Sequence, residues 1–356
     1  MPQIEVTMDE AYPLCMDILA AGLVPNLVSS PGIGKSALGH QISDKNLLSM
    51  IDVRLSQADP ADLNGFPFIM PHDKNTASTI QKRIKAGYVP METFPIEGDE
   101  IPEGKQGWLI MMDEFPSAPI SVQAAAYKIV LDKAVGMHRL HKNVAIIAAG
   151  NKMSDKAIVN RQGTAMQSRL IHLMIRVCNT AWMNWANKNA IDYRVKSFIE
   201  FRPELLHKFD PNHNDLTFPC PRTWEFMSKI VKPWKDIQME KLAVLAGTVG
   251  DGAAREFFSY CKVFGRIPTI NDILADPEHC TLGDEPSIHY ALSGLVAHHM
   301  SEANADQIMK FIPRLGIDFQ VTILRAAVAR ERSIRKAPAV LKWLAKNSDE
   351  LIQGGM

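Results

Sequence analysis

The chain has 356 residues, 46% hydrophobic and 22% charged, which allows two domains of roughly 100–200 residues and a core of ordinary size. Its 39 Lys and Arg balance 39 Asp and Glu, so bulk charge gives no support to a nucleic-acid binder, although a local basic patch could sit within that balance. The five scattered cysteines (Cys15, Cys178, Cys220, Cys261, Cys280) form no CxxC pair, MPQIEVTMDE is not a secretory leader, and no run of about 18 apolar residues occurs, so a disulfide frame, a zinc site and a membrane span are not expected and a cytoplasmic location is.

Five short apolar runs follow one another along the first half, and most end at a polar cluster. Leu23–Ser30 leads into a glycine-containing loop, Met50–Leu55 into SQADPADLNG, and Trp108–Met112 into Asp113 and Glu114. Val144–Ala149 ends at Gly150 and Asn151, and Leu170–Val177 is the fifth run. Runs of this length without alternation suit strands buried on both faces of a parallel sheet. Helix-like stretches such as Ser121–Leu131 lie between them. The predicted fold class is therefore α/β, a doubly wound parallel sheet whose binding site lies beyond the carboxyl ends of the strands. The long Pro- and Gly-rich stretch from Gly65 to Gly107 reads as an insert between core strands. After about Cys178 the strand-like runs give way to helical patterns. The expected division is a nucleotide-binding domain over 1–178, with an insert at about 65–107, a helical lid over 179–255 and a further helical region over 256–356.

The chemistry begins at SSPGIGKS, which fits the P-loop pattern GxxxxGK[ST] except that Ser29 stands at the first glycine. The segment Ser30, Pro31, Gly32, Ile33, Gly34, Lys35, Ser36 and Ala37 follows a strand and opens a helix, the context that pattern requires. Its backbone N–H groups are expected to cradle phosphate oxygens of ATP, with Lys35 reaching the β and γ phosphates and Ser36 ligating Mg²⁺. Serine at position 29 could slightly loosen phosphate binding, because that position often needs close backbone approach.

Trp108–Phe115 (WLIMMDEF) is a hydrophobic strand ending in two acids, the Walker B arrangement. Asp113 is expected to hold Mg²⁺ through its water shell and Glu114 to orient or deprotonate the attacking water. Asn151, closing VAIIAAGN, is placed to position that water, the role called sensor 1. Arg169, just before the fifth strand, and Arg222, after Pro221, are candidates to supply positive charge to the transition state, and Arg161 is a weaker one.

In this order the pieces resemble the MoxR-like branch of AAA+ ATPases. DEFPSAPISVQAAAYKIVLDKAVGMHRLHKNVAIIAAGN looks like that family's Walker B, helix, β-hairpin and sensor 1 block, TAMQSRLIHL like its arginine-finger block, and FPCPRTWEFMSKI like the part of its lid that carries the sensor 2 arginine. Asp59–Ile69 resembles the segment before the family's helix-2 insert. The resemblance covers roughly residues 20 to 255, with a looser echo to about 345. It implies Arg169 as finger, Arg222 as sensor 2, and a ring, expected to be a homo-hexamer, with ATP between subunits. Such a ring would remodel a client protein in chaperone fashion, often beside an adaptor with a von Willebrand factor A domain. The hairpin near Leu131–Lys142 and the insert would then be the partner contacts. The competing readings are an AAA+ protein acting on DNA or RNA as a loader, helicase or transposition helper, and a scaffold that binds ATP without turnover. Zero net charge disfavours the first of these, and the intact Glu114, Asn151 and Arg169 set disfavours the second.

The remaining features have ordinary readings. His298–His299 and His138–His141 lack zinc-site spacing. The methionines fill core gaps, Trp182, Trp185 and Trp224 pack the helical half, and the basic stretch Arg325–Pro338 is a solvated helix face.

Overall fold

The computed structural model describes residues 4–69, 86–155, 164–212 and 215–347. The chain divides into two compact units, Met1–Arg176 and Val177–Met356.

The first unit is built on a six-stranded sheet. Its strands are β1 (Glu5–Val6), β2 (Val24–Ser29), β3 (Leu48–Arg54), β6 (Gly107–Asp113), β9 (Val144–Asn151) and β10 (Leu170–Ile175). The spatial order is β1-β10-β2-β9-β6-β3, with every pairing parallel. The five apolar runs of the sequence are therefore five neighbouring strands. Two-residue β1, paired to the end of β10, is too short to leave a hydrophobic signature. Two antiparallel hairpins complete the strands: β4 (Phe66–Ile69) with β5 (Ala86–Val89), and β7 (Ala134–Val135) with β8 (His138–Arg139).

Helices α1 (Met8–Ala20), α2 (Lys35–Lys45), α3 (Pro60–Asn64), α4 (Ile120–Asp132) and α5 (Thr164–Gln167) belong to this unit. They explain why the strands lack alternation. Along β6, Leu109 and Met111 pack on one face with Leu38 and Ile42 of α2 and Ala11 and Cys15 of α1. Ile110 and Met112 pack on the other face with Val122, Ala126 and Ile129 of α4. A strand covered on both sides must be apolar at successive positions, because each face buries every second residue. The α/β, doubly wound parallel sheet predicted from the sequence is the observed fold.

Among its described residues the second unit contains helices and no strand; the α-helices are α6 (Asn179–Lys188), α7 (Tyr193–Phe201), α8 (Pro221–Val231), α9 (Leu242–Val249), α10 (Asp251–Cys261), α11 (Ile270–Ala275), α12 (Pro286–His299), α13 (Ala305–Phe311), α14 (Ile317–Arg330) and α15 (Pro338–Lys346). One hydrophobic cluster, with Trp182, Phe198, Trp224, Phe257, Phe311 and Trp343 among its members, joins helices on both sides of residue 255. A buried ion pair pins α7 to the end of α8. Arg194 bonds Asp192 at 2.9 Å and also donates to the carbonyls of Val231 at 2.6 Å and Trp234 at 2.8 Å, so its buried charge is both paired and hydrogen-bonded. All five cysteines are free thiols, and burial pushes that of Cys15 up to about 12, which leaves it inert at neutral pH. Among the described residues no helix is long and apolar enough to cross a membrane, and no cluster of metal-ligating side chains occurs.

Candidate functional site

The parallel register fixes what meets at the carboxyl edge of the sheet. Ser29, the last residue of β2, lies opposite Asn151, the last of β9. Arg54 of β3 lies opposite Asp113 of β6. Four neighbouring strand ends thus lie along one edge of the sheet, beside the loop that follows β2.

The loop turns through Pro31–Gly34 and passes directly into α2. Gly32 has φ 77° and Gly34 φ 114°, backbone conformations that side-chain-bearing residues rarely adopt. Gly34 is also the N-cap of α2, and with no side chain it supplies no capping oxygen to the first turn of the helix. Uncapped N–H groups at a helix start attract an anion. Lys35, in the first turn, is only 8% exposed. Its Nζ donates to Ser29 Oγ at 3.0 Å and to Asn151 Oδ1 at 2.9 Å, with longer contacts to the carbonyls of Ser30 (3.4 Å) and Ser29 (3.5 Å). Ser36 Oγ donates to Asp113 Oδ2 at 2.8 Å.

Beside Asp113 the backbone changes hand. Glu114 has φ 56° and ψ 32°, a left-handed conformation that costs a non-glycine residue roughly 1–2 kcal/mol. Its N–H donates to Asp113 Oδ1 at 2.8 Å, which fixes the Asp113 carboxylate so that its other oxygen faces Ser36. The Glu114 carboxylate accepts a hydrogen bond from Ser56 Oγ. Behind the site, a Cβ added at Gly150 would meet Pro116 Cδ at 2.2 Å. Glycine before Asn151 is therefore what lets β9 run this close to the segment that follows Glu114.

Ser36, Asp113 and the uncapped start of α2 have the donors a magnesium nucleotide requires. A hydroxyl and a carboxylate oxygen already lie within one hydrogen bond of each other and form a hard oxygen set suited to Mg²⁺. An ammonium and backbone N–H groups suit phosphate oxygens.

The structure brings together Ser30–Ala37, Asp113, Glu114 and Asn151. It leaves Arg169 apart from them. Arg169 is exposed and precedes Leu170, which pairs with Val24 at the start of β2. Five residues of strand separate that level from Ser29, about 17 Å at the usual rise. Arg169 therefore cannot reach the phosphate loop of its own chain. Arg222 lies in the second unit, exposed in the first turn of α8 after Pro221 at its start. Arg161 lies outside the described residues. Ser56 was not singled out in the sequence. The signal available was its place in the polar cluster SQADPADLNG at the end of a core strand, as Asp113 and Asn151 end theirs.

No family model matches the chain, and no curated protein matches it. Among solved structures it is similar to a candidate ATPase from Cytophaga hutchinsonii, at 12% identity and a TM-score of 0.34 over 91% of this chain and 81% of that one. It is also similar to a single-residue variant of RuvB from Thermotoga maritima, at 12% identity and a TM-score of 0.37 over 70% of this chain and 68% of that one. Likeness at this level carries no argument about activity.

Proposed function

We propose that this chain is a magnesium-dependent ATPase of the AAA+ type, resembling the MoxR-like branch, that hydrolyses ATP between the subunits of a homo-oligomeric ring. The observation that carries the reading is the convergence of Lys35, Ser36, Asp113, Glu114 and Asn151 at one sheet edge, held by hydrogen bonds of 2.9 and 2.8 Å from Lys35 and Ser36 at the start of α2 to the ends of β9 and β6, and by the 2.8 Å bond from the Glu114 N–H to Asp113. Mg²⁺, held by Ser36 and Asp113, would neutralise phosphate charge. Lys35 would bind the phosphate chain, Asn151 would orient the attacking water, and the Glu114 carboxylate would take its proton.

The position of Arg169 supports a shared site. An arginine that cannot reach its own loop can still serve the loop of a neighbouring copy, where such a group is worth about 10³–10⁵ in rate. Arg222 would add charge from the helical unit. The expected work of the ring is remodelling of a partner protein, with a von Willebrand factor A-type adaptor as the partner class the resemblance implies and a hexamer as the expected size.

The test is assembly and mixing. Glu114→Gln subunits, which should bind ATP without turning it over, are expected to accumulate as a ring on addition of Mg·ATP, read by analytical ultracentrifugation. Arg169→Ala subunits should bind ATP but lower the turnover of wild-type subunits mixed with them. A chain that stays monomeric with bound ATP, and that is indifferent to added Arg169→Ala subunits, would remove the shared site.

A further inference from the structure

Ser29 is the irregular position of the phosphate loop, a serine where the pattern has glycine. Nothing in its backbone calls for glycine, since it closes β2 and lies outside the left-handed region. Its side chain is fully buried and both sides of its hydroxyl are engaged. Oγ donates to the Ser30 carbonyl at 2.9 Å and accepts from Lys35 Nζ at 3.0 Å. A hydroxyl has one proton and two lone pairs. With the proton committed to Ser30, a lone pair is turned toward the ammonium.

We infer that Ser29 is a positioning residue for Lys35, and that its hydroxyl strengthens phosphate binding instead of loosening it. The inference rests on the reading of the loop as a nucleoside polyphosphate site. An ammonium has three N–H donors. In this loop the bonds to Ser29 Oγ and Asn151 Oδ1 are at ideal distance, whereas the two carbonyls stand at 3.4 and 3.5 Å. Incoming phosphate oxygens replace the long carbonyl contacts and draw the ammonium from Asn151, which frees that amide for water. The Ser29 contact lies on the strand side of Lys35 and persists. It ties the end of the flexible side chain to the strand beside the loop. Glycine at position 29 would leave the ammonium without this anchor. Ordering the lysine before the ligand arrives lowers the cost of binding.

The experiment is a titration of Mg·ATP into wild-type, Ser29→Ala, Ser29→Gly and Ser29→Thr proteins, with steady-state turnover and thermal melting of each. Loss of a hydrogen bond to a charged group should weaken ATP binding on the order of tenfold in the Ala and Gly variants. KM should rise in parallel while kcat and the ligand-free melting temperature stay close to wild type. The Thr variant, which keeps the hydroxyl, should recover affinity. Unchanged or tighter ATP binding by Ser29→Ala overturns the inference and leaves the loop reading intact. So does a loss of affinity that tracks a fall in melting temperature and that Thr does not relieve. Absence of ATP binding by the wild-type protein overturns the loop reading itself, and the inference with it.

Discussion

Ser36 and Asp113 are joined directly, Ser36 Oγ donating to Asp113 Oδ2 at 2.8 Å across the boundary between the start of α2 and the end of β6. This contact sets the two oxygens expected to flank Mg²⁺ side by side. Both partners should therefore be required for magnesium-dependent turnover. Asp113→Asn removes a charge and Ser36→Ala a hydroxyl ligand. Each is expected to lower kcat by about 10²-fold or more, in line with the several kcal/mol a metal contributes to charge stabilisation. ATP binding measured in EDTA should persist in both variants. Turnover of Asp113→Asn at the wild-type rate would remove the metal assignment.

Glu114 is held in two ways, by its left-handed backbone and by the hydroxyl of Ser56. Glu114→Gln should keep ATP affinity and lose about 10²–10⁴-fold in kcat, the usual contribution of a positioned base. Ser56→Ala leaves the carboxylate in place without its anchor. A smaller fall in kcat with unchanged KM is expected, on the order of threefold to tenfold by the cost of one hydrogen bond. Steady-state phosphate release over a range of ATP concentrations reads both effects. A change in KM alone for Ser56→Ala would mean that the contact serves binding and not the Glu114 carboxylate.

The helical unit carries a pH dependence of its own. Burial pushes the Glu200 carboxyl of α7 up to about 7, and the nearby charges of Lys196 and Arg325 only partly oppose this. The folded state thus keeps a proton that the unfolded chain, with an ordinary value of 4.5, releases. An acid raised in the folded state contributes stability at low pH that is lost as pH climbs, here from about 4.5 to about 7. His298 acts in the opposite sense. Burial, with His299, Lys196 and Arg330 nearby, depresses it from 6.5 to about 4, so its contribution is lost as pH falls through that interval. Glu200→Gln removes the first dependence and leaves the second. The melting temperature of the variant, relative to wild type, should therefore rise between pH 5 and pH 7. A difference that stays constant across that range would contradict the assignment.

Much of the fold was legible because each core strand is buried on both faces and so writes an uninterrupted apolar run. Gly107–Asp113 and Val144–Asn151 are the clearest cases, each ending in the residues that form the site. The Walker-type residues could be read because strand order converts polar residues far apart in sequence into neighbours. What escaped has equally physical reasons. Two-residue β1 has no periodicity to detect. Ser56 sits among many polar residues, and only the approach of Glu114 in the folded chain distinguishes it. Ser29 was visible as an irregularity, but its hydrogen bonds to Lys35 and Ser30 were not, because hydroxyl direction is set by packing around β2.

If Lys35 marks a nucleotide site, calorimetric titration of Mg·ATP separates the wild-type protein from Lys35→Ala. Saturable binding by the wild type, lost in Lys35→Ala at unchanged melting temperature, is the predicted result. Equal ATP affinity of the two proteins, or no binding by the wild type, would contradict it.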